Sequence, residues 1–470
     1  MPRLPWALQS YKHRNLPISA QQIINLFPEQ EPRDAAAPVV LLPTPGTSIF
    51  TELPTGPLRG RHVLGALLYC VSGTVLYSVD VAGSVTTIGT IPGLEPVDMD
   101  DNGAQLGIVC PDMQQLFYYT PATTTLAQVT DVDFLGAVSI ACLGSYTICV
   151  RPDSNVFAYS AVGDMSAWDA LDFSSAEASS DNIVRGKRVN EQLWLFGERS
   201  IEVWTTTSNP DGPFQRLNGA FIERGISARF SYATRLSVPY WLGDDRVVYR
   251  GDGTTPTRIS THPIEQAIGG YAFVSDARAW IYEQEGHVFY CLTFPTAGDT
   301  WVYDATTQAW HERESEPTDT YGGNWRCVDA GAFAGAVVAG DLIDGRLYII
   351  DPTTYADAGD PIIRVAAGAP FINDGNRMYF SEIEAVMQTG VGLVVGQGSD
   401  PQVWMTFSDD GGQTWSYQKQ AALGKIGAFR VRVRWQRIGQ GRERVFRLQW
   451  SDPVGTALIA ANIDYQPANN

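Results

Sequence analysis

Apolar residues in this chain come in short runs, many ending on an aromatic, separated by clusters of Gly, Asp, Asn and Pro. Runs of that length, rich in β-branched and aromatic residues and bounded by turn formers, predict strands. Examples are 73–80, 115–120, 155–159, 192–197, 245–250, 287–290 and 346–351. Between about 59 and 370 they recur roughly every 40 to 50 residues, the period of β-propeller blades. The clearest blade, Thr300 to Trp310, has the form of a kelch hairpin: a strand, Tyr303-Asp304, a polar turn, then Trp310 opening the next strand. Helical periodicity is scarce, and the pattern predicts one short helix at 263–268, opened by Pro263 and stopped by Gly269. The apolar stretch 134–150 is interrupted by Gly136, Ser139, Gly144 and Ser145, which predicts two buried strands; it is too short for a membrane span.

The texture differs at both ends. Residues 1–58 are rich in proline, among them Pro28, Pro32, Pro38, Pro43, Pro45, Pro54 and Pro57, which predicts an extended, irregular strap. From 371 to 470 strands lengthen and alternate more cleanly. Arg430, Arg432 and Arg434 share one face there, opposite Val431, Val433 and Trp435, while Phe446, Leu448 and Trp450 share another. The expected fold is therefore all-β: an N-terminal strap (1–58), a β-propeller with kelch-like blades (59–370) and a C-terminal β-sandwich or platform (371–470).

Composition narrows the function classes. The 470 residues carry a net charge of −18, which favours solubility and disfavours general nucleic-acid binding. The six cysteines form no CxxC pair and sit mostly in apolar runs, which predicts buried free thiols suited to assembly in a reducing cytoplasm. The N-terminus has no signal-peptide pattern.

Candidate chemistry is sparse. Ser408, Asp410, Gly412, Thr414 and Trp415 match the Asp-box pattern of sialidases, but such a box is a self-stabilised hairpin in which the Ser and Asp bond the turn backbone. An arginine triad and a Tyr-Glu nucleophile pair are not evident; the one Arg-Leu-Pro element, Arg3-Leu4-Pro5, has no strand before it. The acidic pairs Asp100-Asp101, Asp244-Asp245 and Asp409-Asp410 read as turn residues. The five histidines have no metal-ligand spacing, and no GxSxG elbow occurs. The glycine-rich run 390–396 opens no helix and reads as a bulged or closely packed strand. No catalytic residue, cofactor or metal is assigned.

One charge anomaly stands out. Lys425, Arg430, Arg432, Arg434, Arg437, Arg442, Arg444 and Arg447, against Glu443 alone, give 425–447 a net +7 and leave −25 elsewhere. The run reads as a solvated strand face, as a docking strip for an acidic neighbour, or as a DNA-phosphate track; arginine's planar fork suits the second, because it grips carboxylates through two bonds.

Four segments, in order, resemble the tail-hub or nozzle proteins of short-tailed bacteriophages, known as packaged-DNA stabilisation proteins. They are 19–29 (with Asn25-Leu26-Phe27-Pro28-Glu29) followed by Thr44-Pro45-Gly46; 196–204 with Glu223-Arg224-Gly225-Ile226; 301–310 with 340–348; and 434–439 leading to Arg447 and 451–453. Phe27 replaces a tyrosine of the family pattern. The resemblance implies a propeller with added β-domains and a homohexameric ring in the virion tail, assembled in the host cytoplasm. It implies a head-to-tail adaptor ring above, a needle or plug below and tailspikes or fibres at the side. Double-stranded DNA would pass through without sequence-specific binding, the chain would not insert in a membrane, and it would not be an enzyme. A glycan-binding or sialidase-like propeller is the alternative.

Overall fold

The computed structural model describes residues 2–4, 6–32, 37–209 and 212–467. Seven four-stranded antiparallel blades surround one axis. Blades 1 to 6 span 58–90, 98–128, 139–175, 183–222, 233–258 and 278–312. Blade 7 takes three strands from 327–351 and its outermost strand, Gly46–Glu52, from near the N-terminus. The first strand of each blade is innermost, and that of blade 7, Cys327–Phe333, returns against that of blade 1, Leu58–Leu64. The ring is thus closed by a strand distant in sequence, which leaves no open seam.

Both faces of each blade are buried against neighbouring blades, so the strands read as continuous apolar runs rather than strict alternations. In Leu67–Ser72, Leu68 and Cys70 pack toward blade 7, while Tyr69 and Val71 pack toward blade 2. The 134–150 stretch forms two buried strands, Ser139–Leu143 and Tyr146–Val150. The kelch-like hairpin pairs Tyr303 with Trp310; Asp304 accepts bonds from Thr306 N and Thr307 Oγ1 in the turn, and Trp310 is fully buried. The expected helix forms at His262–Gly270. All six cysteines are free and buried, and burial raises every thiol.

The C-terminal region, with strands from the N-terminal segment, is a two-sheet sandwich. One sheet runs Leu26–Gln30, Val39–Pro43, Leu458–Pro467, Met378–Met387, Val433–Gly441. The other starts from the outer strand of blade 6, Ala309–Glu312, and continues through Ala20–Ile24, Arg364–Ala367, Glu443–Trp450, Gln402–Ser408 and Lys419–Ala422. The sandwich therefore hangs on blade 6. Its first strand precedes residue 371, and its core is built on Met378, Ile383, Trp435, Phe446, Leu448 and Trp450.

The N-terminal segment differs from the expected irregular strap. It supplies strands to both sandwich sheets and to blade 7. Its prolines sit where strands tolerate them: Pro28 lies on an edge strand and Pro43 at a strand end. The run 390–396 is also not a strand. Gly390 and Gly396 take positive φ, Val394 and Val395 both face solvent, and the segment is a loop.

Candidate functional site

The first strands of the blades bring their charged residues to the propeller axis. Arg61 and His62 come from blade 1, Asp98, Asp100 and Asp101 from blade 2, Arg185 and Lys187 from blade 4, Arg278 from blade 6 and Asp329 from blade 7. Arg61, His62, Asp98, Arg185, Lys187 and Asp329 line a cavity of ≈ 290 Å³, which shares Arg185, Lys187 and Tyr232 with a neighbouring cleft of ≈ 870 Å³. Asp98 accepts from Arg185 Nη2 at 3.0 Å, Lys187 Nζ at 2.7 Å and Ser139 Oγ at 2.6 Å. Burial alone would raise the Asp98 carboxyl, but the two cations and the hydroxyl outweigh it and hold it at about 2. Arg278 pairs with Asp329 and donates to Leu58 O at 3.1 Å; Arg61 donates to Val338 O at 2.7 Å. Each of these contacts joins different blades, and the charges are spent on one another. The arrangement staples the ring at its axis.

His62, Asp100 and Asp101 place their ligand atoms within 4.8 Å of one another. His62 Nε2 lies 2.7 Å from Asp101 Oδ2, and Asp100 accepts from Cys142 N and Asp101 N. These groups are satisfied by the His62–Asp101 hydrogen bond and by backbone N–H donors. Asp100 and Asp101 close the strand Asp98–Asp101, and Asp101 also caps the turn that follows, accepting from Gly103 N at 2.7 Å. Residues far apart in the chain meet here because first strands adjoin, a proximity that carries no sequence signal.

The basic run does not form one strip. Arg444 is buried: it grips Asp409 through Nε at 2.6 Å and Nη2 at 2.7 Å, beneath the rings of Phe407 and Phe380. Arg447 lies 4.0 Å over Trp415 and donates to Thr406 Oγ1 at 3.2 Å. The sequence held the clue for Arg444, since it shares the parity of Phe446, Leu448 and Trp450. In the other sheet, Arg432, just before the strand Val433–Gly441, pairs with Glu384 at 2.5 Å, and Arg434 on that strand stands 3.9 Å from Glu382. Lys425, Arg430, Arg437 and Arg442 are exposed and form no ion pair among the described residues. The surface charge of the run thus belongs mainly to these four.

The turn from Ser408 to Trp415 joins two strands of the sandwich. Asp410 accepts from Ser408 Oγ, Gln413 N and both N and Oγ1 of Thr414, which holds its carboxyl far below the usual range. Gly412 N donates to Ser408 Oγ at 2.8 Å, and Gly412 has φ +99. The Ser408, Asp410 and Thr414 side chains are directed into their own turn, while Asp409 reaches out of it to Arg444. Arg3 and Leu4 pair with Ala461 and Asn462; Pro5 lies outside the described residues.

Family models match nearly the whole chain: "Bacteriophage P22 Gp10, beta-propeller" over 10–355 and "Bacteriophage P22 Gp10, beta-sandwich" over 365–466. The chain belongs to the phage P22 Gp10 family. That family is one of structural phage tail proteins and is not an enzyme family, and membership implies a place in the virion tail. The two matched regions correspond to the propeller and sandwich of this Gp10-family chain. No curated protein matches it. Among solved structures, the Neurospora crassa Pan2 WD40 domain is 8% identical with a TM-score of 0.42, covering 65% of this chain and 95% of that one. The WD40 propeller of Doa1 is 12% identical with a TM-score of 0.42, covering 64% and 97%. Similarity at that level adds nothing on function.

Proposed function

We propose that this Gp10-family chain is a tail hub or nozzle subunit. Six copies form a ring beneath the head-to-tail adaptor, hold packaged DNA and conduct it during ejection. The family match along both halves carries this reading. A needle or plug closes the ring below, and tailspikes or fibres attach at its side. The DNA path runs between copies rather than through a propeller, since the axial spaces of ≈ 290 and ≈ 870 Å³ are far too small to pass a duplex. A net charge of −18 supports a lumen that repels phosphate and lets duplex slide, because each cation facing the channel would bind backbone and slow exit. The exposed cations of 425–447 then face protein. The chain has no catalytic role in this reading; the Asp box is a self-closed turn, and the axial arginines are held by Asp98, Asp329 and backbone carbonyls.

The test is the mass of the purified chain by light scattering, alone and with its cognate adaptor. A closed six-copy ring on the adaptor is the expected result. A monomer indifferent to the adaptor would overturn the reading and return the glycan-binding alternative, to be assayed with a fluorogenic sialoside.

A further inference from the structure

Two surfaces of this chain complement each other and cannot meet within one molecule. The first is a loop tip on the sandwich. Loops 388–401 and 424–430 are locked together: Gly427 N donates to Gly390 O at 3.1 Å, and a Cβ at Gly390 would lie 2.6 Å from the Phe429 ring. The pair holds large apolar side chains in water, with Val394 77%, Val395 78% and Phe429 73% exposed, alongside Ile426. Its charges are Lys425 and Arg430 against Asp400 alone.

The second surface is one end of blades 1 to 3. Asp112 accepts from Leu94 N at 3.0 Å, which seats the 91–97 linker on the turn before Met113. Ala137 N donates to Gln114 O at 3.1 Å, which seats the 129–138 linker on the other side of that turn. This continuous face exposes Leu94 (81%), Val132 (87%) and Leu135 (62%) with Met113 among Glu95, Asp112, Asp131, Asp133 and Asp153. Two cations lie near it: Arg59, buried beneath the 91–97 linker and donating to Glu95 O and Pro92 O, and Arg151, stacked over Phe173.

Topology sets these surfaces apart. The sandwich continues from the outer strand of blade 6. In a ring of seven, blades 2 and 3 are each three blades from blade 6, one in either direction, so the acidic face lies across the axis from the sandwich. An apolar basic knob on one side and an apolar acidic face on the other are the requirements for a head-to-tail contact between copies, the class that closes into rings. Isolated surface apolars need no explanation; contiguous ones framed by one sign of charge mark contact sites.

We propose that the 388–401/424–430 tip of one copy docks on the 91–97, 111–114 and 129–138 face of a second copy, and that this contact repeats around the tail ring. The inference rests on the ring reading and adds its subunit interface. The occupant is a second copy because the same chain carries the matching charge.

Sedimentation velocity of the full chain, alone and with the adaptor ring, tests it. The variants are Val394→Asp/Val395→Asp, Lys425→Glu/Arg430→Glu, and the latter mixed with Glu95→Lys/Asp133→Lys; circular dichroism verifies that each is folded. The expected result is a ring with the wild type, a rise of about tenfold or more in the concentration needed for it with either tip variant, and recovery when the charge-reversed partners are mixed. Variants that form the ring as wild type does would overturn the interface and leave the ring reading standing. Variants that lose only adaptor binding would assign the tip to the adaptor and overturn the proposal. A wild type that forms no ring under either condition would overturn both.

Discussion

Asn25 is the residue on which the two halves and the N-terminal segment converge. It sits at φ +55, donates through Nδ2 to Glu314 O at 3.1 Å and Ile363 O at 2.8 Å, and accepts from Glu314 N at 3.2 Å. Asparagine tolerates the left-handed region better than most residues and has the donors and acceptor this position needs. Asn25→Ala strands buried polar backbone and should cost about 2–4 kcal/mol, measured by urea unfolding. Four residues on, Glu29 meets His287 at 2.6 Å, and Asp304 holds the other ring nitrogen at 2.7 Å. The bond to Asp304, reinforced by Glu29 and opposed by burial, raises His287 to about 9. A charged His287 is thus favoured in the fold, so its contribution is complete below the ordinary imidazole value and is lost as pH rises through about 9. Glu314, raised to about 7 by burial and by Glu312, Asp299 and Glu316, acts in the same direction, losing its contribution as pH rises through about 7. Stability should therefore fall as pH rises from about 4.5 to about 9, through Glu314 in the lower part and His287 in the upper, and His287→Gln should flatten the upper part of that slope. An unchanged slope in the variant would show that the clamp does not titrate there.

At the scale of elements, the closing strand of blade 7 explains the Thr44-Pro45-Gly46 motif. Gly46 opens the strand, and a Cβ there would lie 2.4 Å from Ala356 O. Thr44, fully buried, donates to Asn25 O at 3.1 Å. Gly46→Val should detach Gly46–Glu52 from Arg346–Asp351 and destabilise the chain by about 3 kcal/mol or more, read as a lowered Tm and rapid amide exchange in those two strands. The Asp-box turn predicts the opposite behaviour. Asp410→Ala should speed exchange at Gln413 and Thr414 and leave the Tm nearly unchanged, because the turn is exposed and closed on itself. A large fall in Tm would mean that the turn supports the sandwich core. The kelch-like hairpin and the two buried strands of 134–150 were legible in sequence because strand, turn and strand are contiguous. The strands Ala20–Ile24 and Gly46–Glu52 were not, since their partners Arg364–Ala367 and Arg346–Asp351 lie some three hundred residues away and pairing partners leave no local pattern.

At the scale of the molecule, the charges divide into those that staple the ring and those that face water. Asp98, Arg185, Lys187, Arg278 and Asp329 join blades at the axis, while most of the remaining acidic charge is solvated. A free chain of −18 should not retain duplex DNA in an electrophoretic mobility assay at physiological salt; retention would place exposed cations on the DNA path. Asp98, held at about 2, contributes fully above the ordinary carboxylate value and loses its contribution as pH falls through about 2, so the propeller should resist mild acid.

The sequence alone determined the all-β class, the blade period, the buried thiols and the family resemblance, because each depends on local alternation, turn chemistry or ordered motifs. Tertiary structure decided the number of blades, the strand that closes them and the fate of each cation. Arg444 and Arg430 look alike as letters in one basic run. Only the packing of Asp409, Phe380 and Phe407 around the first made it an interior residue, and left the second on a surface able to meet another molecule.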